Sequence, residues 1–218
     1  MRTNPGDRGR FDRWSGTYDQ DASTSTEFPL AGYDRVLADV VSQAEARSSM
    51  SVLDLGTGTG NLASLFHNSN CTVWATDFSP GMIAQARKKY PGVEFAIATL
   101  QDSPPDSFPS RYDRVVSAYT FHHLELNDKV ALIRDLVADH LLSVGRLVIA
   151  DVSFATAEDR LAARSRFADL WDSGEHYWAA EEIVGRLQRL DLEVTYTQAS
   201  FCAGIYLIKR KGDTRTDG

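Results

Sequence analysis

The stretch Val52-Leu53-Asp54-Leu55-Gly56-Thr57-Gly58-Thr59-Gly60 constrains this chain more than any other. A short apolar run breaks into alternating glycines, and Leu62, Ala63, Leu65 and Phe66 follow at helical spacing, so a strand turns sharply into a helix. Glycines there let bare backbone approach a ligand, and the start of the helix offers N–H groups without partners inside it. A dinucleotide-binding turn is spaced G-x-G-x-x-G, whereas Gly56, Gly58 and Gly60 give G-x-G-x-G with Asp54 just ahead. A carboxylate at that place disfavours a pyrophosphate and suits a ligand that carries an ammonium group.

The rest of the chain reads as alternating strands and helices. Tyr33, Val36, Leu37, Val40, Val41 and Ala44 recur at helical spacing, with Thr24 and Glu27 upstream as a candidate capping box. Strands are expected at residues 51–55, 72–76, 93–97, 114–118 and 146–152. Ser79-Pro80 opens a helix that Pro91-Gly92 stops, and Asn127 is a candidate cap for the helix carrying Val130, Ile133 and Val137, which Ser143-Val144-Gly145 ends. Helices around 161–171 and 181–190 precede two closing strands, 192–197 and 203–209, whose link is too short for a crossover helix, so they pair antiparallel. The pattern is that of one doubly wound α/β domain.

Leu53-Asp54-Leu55-Gly56-Thr57-Gly58-Thr59-Gly60-Asn61 resembles the first motif of the class I S-adenosylmethionine-dependent methyltransferases. Tyr119-Thr120-Phe121-His122-His123-Leu124 resembles their segment after the fourth strand, and residues 141–151 resemble their helix-to-fifth-strand segment. Phe11-Asp12-Arg13-Trp14-Ser15-Gly16-Thr17-Tyr18-Asp19 resembles the lid opening of the small-molecule enzymes of the group. The resemblance implies a Rossmann-like, seven-stranded sheet, mostly parallel with an antiparallel last strand and helices on both faces. It implies one domain over 11–209, with a lid at 11–47 and an acceptor-side cover at 153–190, between a flexible lead-in at 1–10 and a flexible tail at 210–218.

The implied cofactor is S-adenosylmethionine, with S-adenosylhomocysteine as product. The resemblance assigns it to Asp54, Gly56, Thr57, Gly58, Gly60 and Asn61 of the first motif and to Asp77, Phe78 and Met82 after the second strand. Thr99 and Leu100 after the third strand, and Ser117 and Tyr119 around the end of the fourth, complete the set. Asp77 at a strand end can accept bonds from both ribose hydroxyls, or it caps the turn into the Ser79-Pro80 helix. Many relatives carry Gly-Asp-Ala where Ala98-Thr99-Leu100 stand here, so Gln101 or Asp102 is the candidate replacement for the missing acid.

A sulfonium is already a good leaving group, and the main task is to hold nucleophile, methyl carbon and sulfur in line. His122, His123 and Tyr18 are the candidate catalytic residues, a histidine being suited to take the acceptor's proton; packing and backbone bonding are the competing role of the pair. Trp14, Tyr18, His123 and Trp178 are the candidate acceptor contacts, with Trp171 and Tyr177 in the same cover segment; each aromatic either lines the site or pins its segment to the core. No metal is expected, since adjacent histidines rarely converge on one ion and no further His/Cys cluster accompanies them.

The expected acceptor is a small molecule. A net charge of −7 repels phosphate backbones, and the Asn/Asp-Pro-Pro-aromatic motif of base-amino methylation is absent after the fourth strand. No stretch has the length or apolarity of a membrane span, the first ten residues lack the apolar core of a signal peptide, and Cys71 and Cys202 alone make no disulfide framework, so a cytoplasmic setting is expected. The alternatives are a regulatory protein that binds S-adenosylmethionine without transferring methyl, and a nicotinamide-dependent oxidoreductase, against which Asp54 and the glycine spacing argue.

Overall fold

The computed structural model describes residues 5–212. Helices α1 (Pro5–Trp14), α2 (Tyr18–Ser23) and α3 (Tyr33–Ala44) lead into β1 (Ser51–Leu55), α4 (Asn61–Asn68), β2 (Thr72–Asp77), α5 (Pro80–Lys89), β3 (Glu94–Ile97) and β4 (Tyr112–Ala118). Then come α6 (Leu126–Asp135), β5 (Leu141–Phe154), α7 (Ala157–Arg166), β6 (Trp178–Ala179), α8 (Ala180–Gln188), β7 (Leu192–Gln198) and β8 (Ala203–Arg210). The main sheet runs β3-β2-β1-β4-β5-β8-β7. β1 pairs parallel with both β2 and β4, and β8 runs antiparallel to both β5 and β7. The closing hairpin therefore reverses one strand, as its short link requires, and the doubly wound architecture stands. β6 adds a two-residue parallel ladder on β5 that its length hides from any periodicity.

Burial explains the strands. Residues 147–154 of β5 are buried throughout, as expected of a strand covered by helices on both faces. Val36, Val40, Phe66, Ile83 and Phe95 fill one face of the sheet, and Ile133, Leu141, Ile183, Leu187 and Tyr206 fill the other. Each such side chain contributes about 1.5–3 kcal/mol when fully buried. A third cluster joins Phe28, Phe154 and Tyr177 to Phe167 and Trp171, and it pins the cover segment to the chain ahead of α3.

Several local expectations give way. Thr24 and Glu27 form no capping box, because α3 begins only at Tyr33 behind left-handed Gly32 and the Thr24 hydroxyl donates to the carbonyl of Gln20. Asn127 lies inside α6, whose cap position is Glu125, and its side chain accepts from Arg186 instead. Ser143-Val144-Gly145 falls within β5, because a wider helical turn at residues 136–140 ends the helix and Leu141 already pairs with Tyr112. Within the expected lead-in at 1–10 the chain is helical from Pro5, and residues 1–4 lie outside the described part. Arg210 ends β8, where its guanidinium donates to the Val137 carbonyl, so the tail begins later; residues 213–218 are also outside the description. The Ser79 cap holds, its hydroxyl accepting from Met82 N at 3.1 Å. A capping box stands at Thr156 and Asp159, where Thr156-Ala157-Glu158-Asp159 carried the signal unread.

Candidate active site

A cavity opens beyond the carboxyl ends of β1 to β4, where open α/β sheets place their ligands. The space between its walls, with the mouth and adjoining solvent included, is about 1350 Å³.

The turn after β1 forms its floor. Gly56, Gly58 and Gly60 all have positive φ, at +69°, +56° and +87°. At Gly56 both conformation and space demand glycine, since a Cβ would stand 2.2 Å from the side chain of Thr120. Thr57 N–H donates to the Thr76 carbonyl at 2.9 Å, and its hydroxyl donates to Asp54 Oδ2 at 2.6 Å. Asp54 Oδ1 is buried and has no partner among the described residues. Burial pushes the Asp54 carboxyl up to about 7, with the Asp77 charge adding to that and the Thr57 bond opposing it. A buried carboxylate with a bare oxygen is costly unless a cation meets it, so this corner fits an ammonium.

Asp77 fills both roles that its position allows. Its Oδ1 accepts from Ser79 N at 2.9 Å, the turn-capping bond, while Oδ2 accepts from Gly58 N at 2.9 Å and locks the glycine turn to the end of β2. The residue still lines the cavity beside Phe78 and Met82, and burial raises its carboxyl to about 6 against those two bonds. Thr99, Leu100 and Gln101 line the wall beyond β3. Asp102 turns back to accept from Thr99 N at 2.8 Å, which leaves Gln101 as the residue on the wall. Tyr119 sits at φ +54°, a strained conformation for a non-glycine residue, with its ring stacked on Tyr33 and its buried hydroxyl without a partner among the described residues.

The roof comes from α1 and α2. Asp12 Oδ1 accepts from the Ser79 hydroxyl and from Gly81 N, 2.6 and 2.9 Å away. Asp19 accepts from Thr59, Asn61 and Lys89, so the roof is clasped to the glycine turn and to α5. Tyr18 lines the cavity beneath Trp14, whose indole N–H donates to Asp21.

At the far end His123, Leu124, Gly174 and His176 face the space. Burial lowers His123 to about 3, with the charge of His122 adding to the effect. His122 stands behind it, Nδ1 2.6 Å from Asp151 Oδ1. Burial works to lower His122, but the charge and hydrogen bond of Asp151 outweigh it and hold the imidazole above its usual range. Asp151 is fully buried and also accepts from Val152 N at 2.8 Å and Trp178 Nε1 at 3.0 Å. Lys129, lowered to about 8 by burial, donates to the carbonyls of Leu124 and His176, while His176 N donates to the His122 carbonyl at 2.7 Å. These bonds join the turn after β4 to the loop before β6.

The structure thus gathers most expected site residues around one cavity and leaves six off its lining. Ser117 lies under the floor, where its hydroxyl donates to the Leu55 carbonyl at 2.7 Å between β1 and β4. Gly60 caps α4 against Tyr90 and Phe95, and Asn61 is spent on Asp19 and Lys89. Trp14 braces Tyr18 from behind, Trp178 is buried against Tyr206 and Asp151, and His122 is shielded by His123. Trp171 and Tyr177 belong to the Phe28 cluster and do not line the cavity either. Sequence reasoning missed Lys89, Lys129 and Glu175, which carry no motif of their own, and gave no role to Asp19 and Asp151, although Asp19 closes the lid segment. Asp151 closes the expected fifth-strand segment, and that position was its only signal.

A sequence model of the methyltransferase domain matches residues 52–141. An uncharacterized methyltransferase of Bacillus mycoides is 35% identical over 150 residues, covering 67% of this chain and 68% of the relative. Another, of Oceanobacillus iheyensis, is 28% identical over 198 residues, covering 86% and 90%. Among solved structures the complex of DhpI with SAH shares the fold at a TM-score of 0.69 and 20% identity, over 93% of this chain and 94% of that one. The nicotinamide and non-catalytic readings are set aside. With its glycine turn, its β2 carboxylate and its reversed β8, the chain belongs to the class I S-adenosylmethionine-dependent methyltransferases.

Proposed function

We propose that this enzyme transfers the methyl group of S-adenosylmethionine to a small-molecule acceptor seated at the His123 end of the cavity. The observation that carries the cofactor half is the unpartnered Oδ1 of Asp54. It meets the cofactor's ammonium in a cradle where Gly56 and Gly58 let the backbone come close. Asp77 accepts from the ribose hydroxyls while keeping its bonds to Gly58 and Ser79. Met82, Thr99, Leu100 and Gln101 flank the base, Gln101 standing for the acid that relatives carry. S-adenosylmethionine supplies an electrophilic methyl carbon on a sulfonium, and the chain's task is to orient the acceptor and exclude water.

A small acceptor is supported by the roof. The helices at 11–23, within the lid at 11–47, close over the cavity through Asp12 and Asp19, and Arg10 reaches Asp172 in the cover at 3.2 Å. An enclosed space on a chain of net charge −7 suits a molecule that enters whole better than a polymer. Tyr18 and His123 are the two candidate catalytic residues on the wall; His123 contacts the acceptor and Tyr18 the space between the two ligands.

Thermal unfolding with S-adenosylmethionine, S-adenosylhomocysteine and NAD in parallel tests the cofactor, because a ligand of the native state raises apparent stability. Stabilisation by the two sulfur nucleotides alone is expected. Release of S-adenosylhomocysteine with a panel of small hydroxyl, amine and thiol compounds, against transfer RNA and protein, tests the acceptor. Turnover on a polymer alone overturns the small-molecule reading.

A further inference from the structure

We propose that His122, His123 and Glu175 form a binding site for a divalent transition-metal ion at the acceptor end of the cavity. One candidate donor atom of each lies within 4.8 Å of the others. His122 Nε2 stands 3.7 Å from Glu175 Oε1, too far for a hydrogen bond. Bonds of about 2.1 Å to one ion set its ligands roughly 3 to 3.5 Å apart, so a contraction of about 1.3 to 1.8 Å in the widest separation completes the set. The two adjacent histidines are brought beside Glu175 for a definite reason. The tight turn at Phe121–His123 brings the two rings to 4.2 Å between centroids, and Glu175 arrives from a loop far along the chain.

The support behind these donors is what an ion needs. His122 turns Nδ1 to Asp151, and with the proton on Nδ1 the lone pair of Nε2 points toward Glu175. Asp151 is fixed in turn by Val152 N and Trp178 Nε1, the carboxylate–histidine arrangement that orients metal ligands and strengthens them. His176 N and Lys129 hold the Glu175 loop against the histidine turn. Two imidazoles and one carboxylate select a borderline ion such as Zn²⁺, Fe²⁺ or Co²⁺ over Mg²⁺ or Ca²⁺, which prefer oxygen throughout.

Three ligands from the protein leave coordination positions open. His123 lines the cavity, so the positions open on its side face the acceptor, while Glu175 reaches the ion from the wall of a second cavity that it shares with Lys129, Arg160 and Glu182. An acceptor hydroxyl bound there has its pKa lowered and loses its proton to water. Its oxygen then forms the bond to the methyl carbon as the carbon–sulfur bond breaks, leaving a neutral thioether. Only this last step rests on the methyl-transfer reading; the ion site itself stands on the geometry.

The experiment is titration of untagged, metal-stripped protein with Co²⁺, followed by its visible absorption and by equilibrium dialysis. Thermal unfolding with S-adenosylhomocysteine is run on the same samples. A single saturable Co²⁺ per chain is expected, weakened about 100-fold by Glu175→Gln and about 10- to 100-fold by Asp151→Asn, and unchanged by His140→Ala, half-buried just before β5 beside the Ser110 carbonyl. His123→Ala, on the cavity wall, is the second variant should Glu175→Gln not fold, and it is expected to weaken Co²⁺ by a similar factor. No saturable Co²⁺ in protein that still responds to S-adenosylhomocysteine overturns the site, as does equal affinity in folded Glu175→Gln or His123→Ala. Co²⁺ binding without any response to S-adenosylhomocysteine instead overturns the cofactor reading and leaves the ion site standing.

Discussion

At one end of the cavity Asp54, Gly56, Thr57 and Gly58 are neighbours in a single turn; at the other, His123, Gly174 and His176 come from two loops far apart in the chain. The first end is made largely of backbone conformation and short-range bonds, with positive φ at the glycines and Thr57 donating to Asp54. The second is made of side chains that meet only because β4 and β5 lie side by side, which sets His122 against Asp151. A local turn is rigid and tolerates little substitution. An end assembled from separate loops can change its ligand while leaving the fold alone.

The largest expected effect tests the rigid end. Gly56→Ala puts a side chain into Thr120 at a positive φ and is expected to cost about 3 kcal/mol or more of stability and to abolish stabilisation by S-adenosylhomocysteine. A near-native melting temperature with intact binding breaks the claim that this turn is conformationally fixed.

Asp54→Asn removes a charge without changing shape. S-adenosylmethionine affinity should fall by about 2 kcal/mol, roughly 30-fold, while adenosine, which lacks the ammonium, binds as before. Burial raises this carboxyl to about 7, so the free protein favours the protonated form and loses stability from this group as pH rises from the unfolded carboxylate range toward 7. Cofactor affinity should run the other way and strengthen through about pH 7 as the carboxylate ionises. Calorimetry across pH 5 to 8 checks both signs, and Asp54→Asn should flatten that dependence.

His123→Ala probes the assembled end. Turnover is expected to fall about tenfold or more while S-adenosylmethionine affinity stays within twofold, because this side chain lies on the acceptor wall. A matching loss of cofactor affinity erases the division between the two ends. Asp77→Ala follows, with at least about 1 kcal/mol lost from cofactor affinity by calorimetry. Part of that loss belongs to the freed Gly58 and Ser79 N–H groups, so Asp77→Asn, which keeps one acceptor oxygen, should lose less.

Lys89→Met loosens the roof. The ion pair with Asp19 is partly exposed, so stability should drop by only about 0.5 kcal/mol. Cofactor dissociation should quicken in stopped-flow measurements if α2 holds the roof through this clasp.

How much was legible follows the same division. Residues 51–60 announced a strand, a glycine turn and a helix because φ preference and apolar pattern act within a few positions. Ser79-Pro80 announced its helix for the same reason, and the short link before β8 forced the reversed strand. Gly60 and Asn61 were expected as ligands because they share the first motif with Asp54, Gly56 and Gly58, which line the cavity. In the fold one packs against Tyr90 and Phe95 and the other bonds to Asp19, a distinction of packing that no motif encodes. Ser117 lies off the cavity lining because a strand's facing flips with every residue, and its hydroxyl donates to the Leu55 carbonyl.

By itself the sequence determined the doubly wound architecture, the cofactor turn and the carboxylate at the end of β2, since each rests on a conformational requirement settled within a few residues. Only the tertiary structure decided which histidine faces the cavity, which aromatic side chains line it and that Glu175 stands beside the histidine pair. Those choices depend on strand register and on the packing of loops distant in the chain, where one residue of shift moves a side chain from the site into the core.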